Sequence, residues 1–563
     1  MNPARGLNPR RPHIALSLGI LGMVGMTGCA GDTPGAAGRT PMPTEGQVRA
    51  ACTSCHVFAP PEILPRAAWI HALQSMYRLA EDQGVEMPIT FVQAGAWYLQ
   101  NAPERLPPAP GRTDAGPGSL RLTVQGWSPG GAGESAGADE PGNPAVTHLR
   151  TARLLGEAGE DLLVSDAVNN RVYAVQPYLP GAPARILGEV PQPARLEVVD
   201  LDGDGRLDLV VAALGQLRPT NDPVGSVVWL RQLADGTFQR VVLADGLGRV
   251  ADVRAVDLSG NGRLDLLVAA FGWMENGRLL WLENLGAESD GTPTFQEHIL
   301  DPRSGFTDVR AADLDGDGRL EVVALATQAA QQVMVYRPQP TPQGTELIFQ
   351  PEVAFAAPHP DWGFSGMEVV DFTGSGFPDI VVTNGDGLDI TVAKPHHGVG
   401  FLENRGDGRF SYHHLTHMYG AHRAEPVDLN GNGLLDLVVA AYMPPALSLE
   451  SPQPNEALIW LERTGPNTLV RRVLDASVPT HMTLAAGDIT GDGRPDLAAG
   501  WMDLGVADTA QAFQGPSMDR WVTLWLNGGE PQDSTEKDGL MVEDCEPGSD
   551  DCPQVIQWTP VGG

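Results

Sequence analysis

Two cysteines and a histidine form the most reactive short motif in the sequence, Cys52-Thr53-Ser54-Cys55-His56. The spacing lets both thiols add to the two vinyl groups of one haem while the adjacent imidazole takes an axial position on the iron. A thioredoxin-like redox pair would need a strand before the motif and a helix after it, and the sequence shows neither. A zinc site would need a second ligand pair. We therefore expect one covalent haem c on Cys52 and Cys55, with His56 as the proximal ligand.

The distal ligand of this haem is expected on the segments that follow. Ala67–Glu81 has apolar residues at helical spacing, and Thr90–Asn101 is a second amphipathic helix. Met87 and the proline after it precede that helix. This arrangement resembles the class I cytochromes c, in which a Met-Pro in a loop supplies the sixth ligand. The resemblance implies Met87 as distal ligand. Met76, His71 and an open site remain alternatives, and a thioether gives a higher potential than an imidazole.

Acidic residues recur at a fixed interval through the rest of the chain. The run Asp-Leu-Asp-Gly-Asp-Gly-Arg-Leu-Asp begins at Asp200, and its pattern restarts at Asp257, Asp313, Asp371, Asp428 and Asp488. Oxygen side chains fall at positions 1, 3, 5 and 9, with glycines at 4 and 6 in most copies. Hard oxygen ligands on a tight turn suit calcium better than zinc or copper. An EF-hand would need a glutamate at position 12, where the first copy has Val211 inside an apolar run.

Six hairpins of this kind predict up to six calcium ions. The candidate ligands are Asp200, Asp202, Asp204, Asp208, Asp257, Asn261, Asp265, Asp313, Asp315, Asp317, Glu321, Asp371, Ser375, Asp379, Asp428, Asn430, Asn432, Asp436, Asp488, Asp492 and Asp496. The sets that begin at Asp200 and Asp313 are the most acidic. The alternative is that several copies are only Asx and glycine turns that hold two strands together.

The repeats indicate the fold. They resemble the FG-GAP/VCBS repeats of integrin-alpha-like β-propellers, in which calcium hairpins join the first two strands of a blade. Each repeat has four candidate strands, and a degenerate first copy at Asp161 brings the repeats to seven. We expect a mainly β chain: a seven-bladed β-propeller preceded by a small all-α domain similar to class I cytochromes c.

The N-terminus is expected to be a leader. Three arginines precede the short apolar stretch Ile14–Met26, whose last residue begins the sequence Met-Thr-Gly-Cys that leads to Cys29. This resembles a bacterial lipoprotein signal, which implies lipidation of Cys29; an ordinary secretory signal is the alternative. The mature chain is therefore expected outside the cytoplasm, anchored by lipid to the periplasmic face of a membrane or to the cell surface.

These patterns divide the chain into segments: 1–28 signal peptide, 29–43 flexible tether, 44–107 haem domain, 108–146 Gly/Pro-rich linker and 147–563 propeller with an acidic insert at 528–553. Within the insert, Cys545 and Cys552 can close a small disulfide loop in an exported protein. Val555–Trp558 is the expected outer strand of the last blade. Leu120–Val124 is the alternative, and it would close the ring from the N-terminal side.

The face opposite the hairpins has the longest loops, which are the usual places for function on a rigid scaffold. Six histidines are expected in these loops: His359, His396, His397, His417, His422 and His481. Convergence of His396, His397, His422 and His481 would make a metal site or a catalytic pocket. Independent packing or surface roles are the alternative.

Composition narrows the function. The 563 residues carry 70 acidic against 37 basic side chains and a formal charge of −33, which argues against a nucleic-acid partner. The whole arrangement resembles bacterial haem-c/VCBS-repeat lipoproteins, which implies cofactors but no reaction. The favoured hypothesis is electron transfer by a monomeric protein between a periplasmic redox partner and an extracytoplasmic ligand on the propeller. The alternatives are an oxidoreductase that uses the haem as acceptor, and a calcium-dependent adhesion propeller with a structural or sensory haem.

Overall fold

The computed structural model describes residues 41–53, 56–110, 118, 120–128, 145–156, 159–177, 179, 183–340, 347–386, 392–444, 454–502, 521–528 and 554–560. The predictions that concern Cys29, Cys55, Cys545 and Cys552 lie outside these residues. Within them, no helix is both long enough and apolar enough to cross a membrane.

Helices come first in the described chain. They are α1 (Glu45–Cys52), α2 (Arg66–Asp82) and α3 (Phe91–Asn101), with a 3-10 turn at Pro61–Ile63. Thr44 and Thr90 each cap a helix in a reciprocal capping box, which satisfies backbone donors that the first turn leaves free. Trp69 of α2 stacks on Tyr98 of α3 with ring centroids 3.8 Å apart, and both side chains are fully buried. This aromatic pair joins the two longer helices.

Seven antiparallel sheets form the propeller. Blade one has β2 (Val146–Ala152), β3 (Asp161–Asp166), β4 (Arg171–Val175) and β5 (Arg185–Glu189). Blade two has β6 (Pro193–Val199), β7 (Asp208–Ala213), β8 (Gly225–Gln232) and β9 (Phe238–Leu247). Blade three has β10 (Val250–Val256), β11 (Asp265–Ala270), β12 (Arg278–Ala287) and β13 (Pro293–Asp301). Blade four has β14 (Phe306–Ala312), β15 (Glu321–Ala326), β16 (Gln332–Pro340) and β17 (Leu347–Ala356).

The remaining blades follow the same order. Blade five has β18 (Phe364–Val370), β19 (Asp379–Asn384), β20 (Gly398–Asn404) and β21 (Phe410–His417). Blade six has β22 (Ala421–Val427), β23 (Asp436–Ala441), β24 (Leu458–Gly465) and β25 (Thr468–Asp475). Blade seven has β26 (His481–Gly487), β27 (Asp496–Trp501) and β28 (Val522–Asn527). Two short strands from distant parts of the chain, β1 (Leu122–Trp127) and β29 (Val555–Gln557), complete the set.

The second strand of each blade is buried along nearly its whole length because neighbouring blades cover both of its faces. Six residues of β7, Asp-Leu-Val-Val-Ala-Ala, are all buried, and the same is true of β11, β15 and β23. A strand covered on both faces reads as a continuous apolar run. The apolar runs after each acidic repeat therefore mark the centres of the blades.

An N-terminal strand closes the ring. Leu122–Trp127 pairs antiparallel with Val522–Asn527, so β1 is the outer strand of blade seven. The alternative prediction for this edge is confirmed, and residues 108–146, expected as a linker, contain the strand. The prediction of Val555–Trp558 as that strand is wrong, because Val555–Gln557 pairs instead with β25 as a fifth strand of blade six. Closure by β1 links the two ends of the propeller through backbone hydrogen bonds.

Candidate functional site

The Cys-x-x-Cys-His motif begins at the last residue of α1. Cys52 is half-buried, its Sγ lies 3.6 Å from the hydroxyl of Tyr98, and burial raises the pKa of its thiol. His56 Nδ1 lies 2.7 Å from the carbonyl oxygen of Val57. A carbonyl oxygen can only accept, so Nδ1 donates, and in the neutral ring Nε2 carries the lone pair. That tautomer is the one that a metal-binding imidazole needs.

A cavity of about 500 Å³ adjoins the motif. Residues that line it include Cys52 and Met76 from α1 and α2, and His56 and Met87 from the segments that connect the helices. Its apolar wall also contains Leu73, Leu79, Ala80 and Ala94. The helices and the segments between them therefore bring together the thiol, the imidazole and both methionines that the sequence analysis singled out. His71 does not line the cavity and lies on the exposed side of α2.

Propeller loops complete the wall of this cavity. Trp273, Met274 and Arg303 line it from blades three and four, more than 180 residues along the chain from Met87. Sequence reasoning missed these residues because nothing in their local pattern relates them to the helices. Tyr77 of α2 also lines the cavity; its hydroxyl donates to the carbonyl of Ile89 at 2.8 Å, and burial raises the pKa of the phenol to about 12.

The acidic repeats form the hairpins between the first and second strands of their blades, as predicted. In blade two, Asp200 accepts hydrogen bonds from the backbone amides of Asp204 at 3.0 Å and Gly205 at 2.9 Å. Gly203 and Gly205 have φ values of 73° and 88°, a left-handed conformation that favours glycine. Carboxylate oxygens of Asp200, Asp202 and Asp208 lie within 4.8 Å of one another.

The hairpin of blade four makes the second such group. Asp313, Asp315 and Asp317 also place carboxylate oxygens within 4.8 Å of one another. Arginines contact both groups: Arg231 Nη2 lies 2.5 Å from Asp202, and Arg337 Nη1 lies 3.4 Å from Asp315. Among the described residues, the repeats that begin at Asp257, Asp371, Asp428 and Asp488 bring no three carboxylates together at this distance.

The acidic residue at position 9 makes a contact that the sequence analysis missed. Asp208 accepts from the backbone amides of Gln232 at 2.7 Å and Leu201 at 3.3 Å, so it ties the hairpin to the third strand. The aspartates at position 9 in the other repeats, Asp265, Asp379, Asp436 and Asp496, likewise accept one amide from the hairpin and one from the third strand. Within the described chain, Glu321 accepts one backbone amide, that of Leu314 in the hairpin, at 2.8 Å. Position 9 therefore has a structural role whether or not a metal binds.

A buried group of charged and aromatic side chains lies where residues of the loop before β18 contact residues of the loop between β19 and β20. Lys394 is 3% exposed, and its Nζ lies 2.8 Å from both Asp361 Oδ1 and Asp386 Oδ2. Burial raises the pKa of Asp361 to about 6, whereas Lys394 and His397 hold the pKa of Asp386 well below its usual value. Trp362 stacks on His396 with ring centroids 5.5 Å apart.

Three histidines belong to this buried group. The ring of His396 lies 4.6 Å from that of His359 and 5.4 Å from that of His397. Burial lowers the pKa of His396 to about 2 and of His359 to about 4, so both rings are neutral at pH 7. His397 accepts from the amide of Gly420 through Nδ1, which leaves Nε2–H facing Asp386 at 3.0 Å. These contacts are those of packed core groups.

The prediction that all six histidines lie in loops is wrong for three of them. His417 ends β21, His422 is the second residue of β22 and His481 is the first residue of β26. His422 Nδ1 donates to the carbonyl of Met482 at 2.9 Å, and burial lowers its pKa to about 4. His481 packs against Trp501 and Trp525. No described contact joins His422 or His481 to His396 and His397.

Comparison with known proteins supports the repeat assignment. The family model for an FG-GAP-like repeat matches residues 200–268, which contain the hairpins of blades two and three. Curated proteins give no match to this chain.

Solved structures match at low sequence identity. BBS1N in complex with ARL6DN is 13% identical, with coverage of 70% of this chain and 95% of that one at a TM-score of 0.38. Virginiamycin B lyase from Staphylococcus aureus is 11% identical, with coverage of 72% and 99% at a TM-score of 0.40. A thermostable family-43 glycoside hydrolase is 11% identical, with coverage of 61% and 96% at a TM-score of 0.30. This chain therefore contains an FG-GAP-like repeat within a seven-bladed β-propeller.

Proposed function

We propose that this protein is an exported, lipid-anchored c-type cytochrome that transfers electrons, with a calcium-stabilised propeller that binds a partner or ligand. The observation that carries the proposal is the cavity in which Cys52, His56, Met76 and Met87 meet. Its volume of about 500 Å³ lies within the range of small-molecule and cofactor pockets, ~300–1,000 Å³. Lipid attachment at Cys29 and a partner outside the cytoplasm are part of the proposal.

The residues present fit a haem. Cys52 and Cys55 would hold it by thioether bonds, His56 Nε2 would be the proximal ligand and Met87 the distal one. A haem held in this way supplies one-electron transfer at a potential set by its axial ligands. The chain's own part is to orient the imidazole through the bond from His56 to Val57 and to exclude water with the apolar wall. Met87 is half-buried and lines a cavity whose wall also contains residues of propeller loops. A partner bound to those loops would therefore be near the cofactor.

The identity of the distal ligand has a measurable consequence. Met87→Ala should lower the reduction potential of the haem by a sizeable part of the ~0.8 V range that axial ligands span, because a thioether stabilises the reduced iron. Met76→Ala, in the same cavity, is the matched control and should shift the potential much less. Potentiometric titration of the three purified proteins measures both effects.

Opposite results have clear meanings. A large drop in Met76→Ala with little change in Met87→Ala would assign the distal position to Met76. If neither variant changed the potential, Met274→Ala would test the methionine that the propeller contributes to the same cavity. A potential that no methionine variant moves would contradict thioether ligation altogether.

Calcium is proposed at the two most acidic hairpins, those of Asp200 and Asp313. Adding Ca²⁺ to chelator-treated protein should raise the unfolding temperature, and saturation at a hundred times the dissociation constant corresponds to about 2.7 kcal/mol per site. The double variant Asp202→Asn, Asp315→Asn should lose most of this response, because each substitution removes one carboxylate charge from a group. Asp245→Asn, at an exposed position of β9, is the control. An equal calcium response in all three proteins would contradict binding at these hairpins.

A further inference from the structure

Two layers of side chains face the axis of the propeller from the first strands of its blades. The fourth residue of every first strand is buried in the core between blades, so the third and fifth residues point the opposite way, toward the axis. The third residues are His148, Arg195, Asp252, Asp308, Gly366, Arg423 and Thr483. The fifth residues are Arg150, Glu197, Arg254, Arg310, Glu368, Glu425 and Ala485. The sequence has 70 acidic residues against 35 arginines and two lysines, and five of these arginines lie on the axis.

Most of these charges pair with one another. Arg195 Nη1 lies 3.0 Å from Asp252 and 2.5 Å from Asp308, and Arg423 Nη1 lies 3.1 Å from Asp308. Arg310 contacts Glu368 at 2.6 Å.

The fifth-residue layer adds a further pair, Arg254 with Glu197 at 2.7 Å. Two charged side chains of the axis stand apart from these pairs: Arg150 and Glu425 make no hydrogen bond or ion pair to another described residue. Arg150 is also solvent-exposed, so the space around it is open to small molecules.

A gap separates these two side chains. Arg150 belongs to blade one and Glu425 to blade six, and blade seven between them contributes only Ala485 to the same layer. A cavity of about 310 Å³ lies on the axis and is lined by residues of all seven blades, with Arg150, Glu425 and Ala485 among them. This volume is at the lower end of the ~300–1,000 Å³ typical of ligand pockets.

We propose that this axial cavity binds a small molecule through a carboxylate group, with Arg150 as its cationic anchor and Glu425 as a hydrogen-bond donor. A guanidinium presents two parallel N–H groups that match the two oxygens of a carboxylate. A protonated glutamic acid donates to a carboxylate oxygen at the other side of the gap. The site does not depend on the haem or on calcium.

The surroundings of Glu425 favour its protonated form. Burial and the neighbouring Glu368 raise its pKa to about 8, against the opposing effect of Arg150, Arg310 and Arg254. The carboxyl is therefore largely neutral at pH 7, and it loses its proton as the pH rises through 8. Once ionised, it would repel a bound carboxylate. Affinity should accordingly fall above pH 8.

Calorimetric titration of the full mature protein tests the proposal, with acetate, succinate and citrate as probes and inorganic phosphate and sulfate as comparison anions. We expect saturable binding of at least one carboxylate, weakened by about tenfold or more in Arg150→Met, since a hydrogen bond to a charged group is lost. Arg240→Met, on an exposed outer strand, should bind like the wild type. Glu425→Gln keeps a donor but cannot ionise, so its affinity should stay flat above pH 8.

Three results would overturn the proposal. They are failure of all three carboxylates to bind at millimolar concentration, phosphate or sulfate binding as tightly as the best carboxylate, and unchanged affinity in Arg150→Met. Arg150 is exposed and unpaired within the described chain, so its substitution should leave the fold intact, and a thermal unfolding curve checks this.

Discussion

Lys394→Met should lower the free energy of unfolding by about 3–5 kcal/mol, the usual loss when one partner of a buried ion pair is removed. The ammonium group lies 2.8 Å from carboxylate oxygens of both Asp361 and Asp386, and the lysine is 3% exposed. Methionine would fill a similar volume but leave both carboxylates without their cation. Denaturant unfolding of wild type and variant measures the difference.

The loss in Lys394→Met should also depend on pH. Burial already raises the pKa of Asp361 to about 6 with the lysine in place, so without it the carboxyls should take up protons still more readily. Protonation removes the unpaired charge, and the variant should therefore lose less stability at pH 5 than at pH 8. A triple variant that adds Asp361→Asn and Asp386→Asn should recover part of the loss. A destabilisation below about 1 kcal/mol at pH 8 would contradict a buried, charged lysine.

Asp161→Ala should lower the free energy of unfolding by about 1–3 kcal/mol, because the Leu155 amide loses its acceptor and the Leu154 amide keeps only the carbonyl of Ala152 at 3.1 Å. Asp161 is fully buried and accepts from Leu154 N at 2.9 Å and Leu155 N at 2.5 Å. It begins the second strand of blade one, where the acidic run of the other repeats is missing. The position therefore isolates the structural role of the ninth residue from any role in binding metal.

Calcium provides the matched comparison for this variant. Asp208→Ala removes the equivalent acceptor in blade two and should lower both the stability and the response to calcium, since Asp208 belongs to a carboxylate group. Asp161→Ala should lower the stability and leave the calcium response unchanged. A calcium response that falls equally in both variants would contradict the separation of the two roles.

The period of the repeats made much of the propeller predictable. Each acidic run predicted a hairpin, and each apolar run after it predicted a strand buried on both faces, because these features depend on local sequence. The outer strands at the two ends of the chain were harder. Leu122–Trp127 pairs with residues about 400 positions away, and nothing in its own composition says which sheet edge it joins.

Contacts between side chains from distant parts of the sequence could be predicted only where the repeat period places those side chains at equivalent positions. The pairing of Lys394 with Asp361 and Asp386 joins residues of two different loops, and no local pattern relates the two loops. The two axial layers follow the repeat period, so aligning the first strands of the repeats could have predicted them. That Ala485 lies between Arg150 and Glu425 follows only from the closed ring, in which blade seven stands between blades six and one. Met274 reaches the haem-motif cavity through tertiary packing, which no local pattern records.

Covalent haem content tests the central proposal most directly. The mature chain, made with a c-type maturation system that loads a known cytochrome in parallel, should show under denaturing conditions the mass of one haem added to the polypeptide and a c-type pyridine haemochrome spectrum. The double variant Cys52→Ala, Cys55→Ala should lose both signals while keeping the propeller fold, because the motif lies outside the blades. A wild-type chain of unmodified mass, made where the control cytochrome is fully loaded, would contradict the proposal.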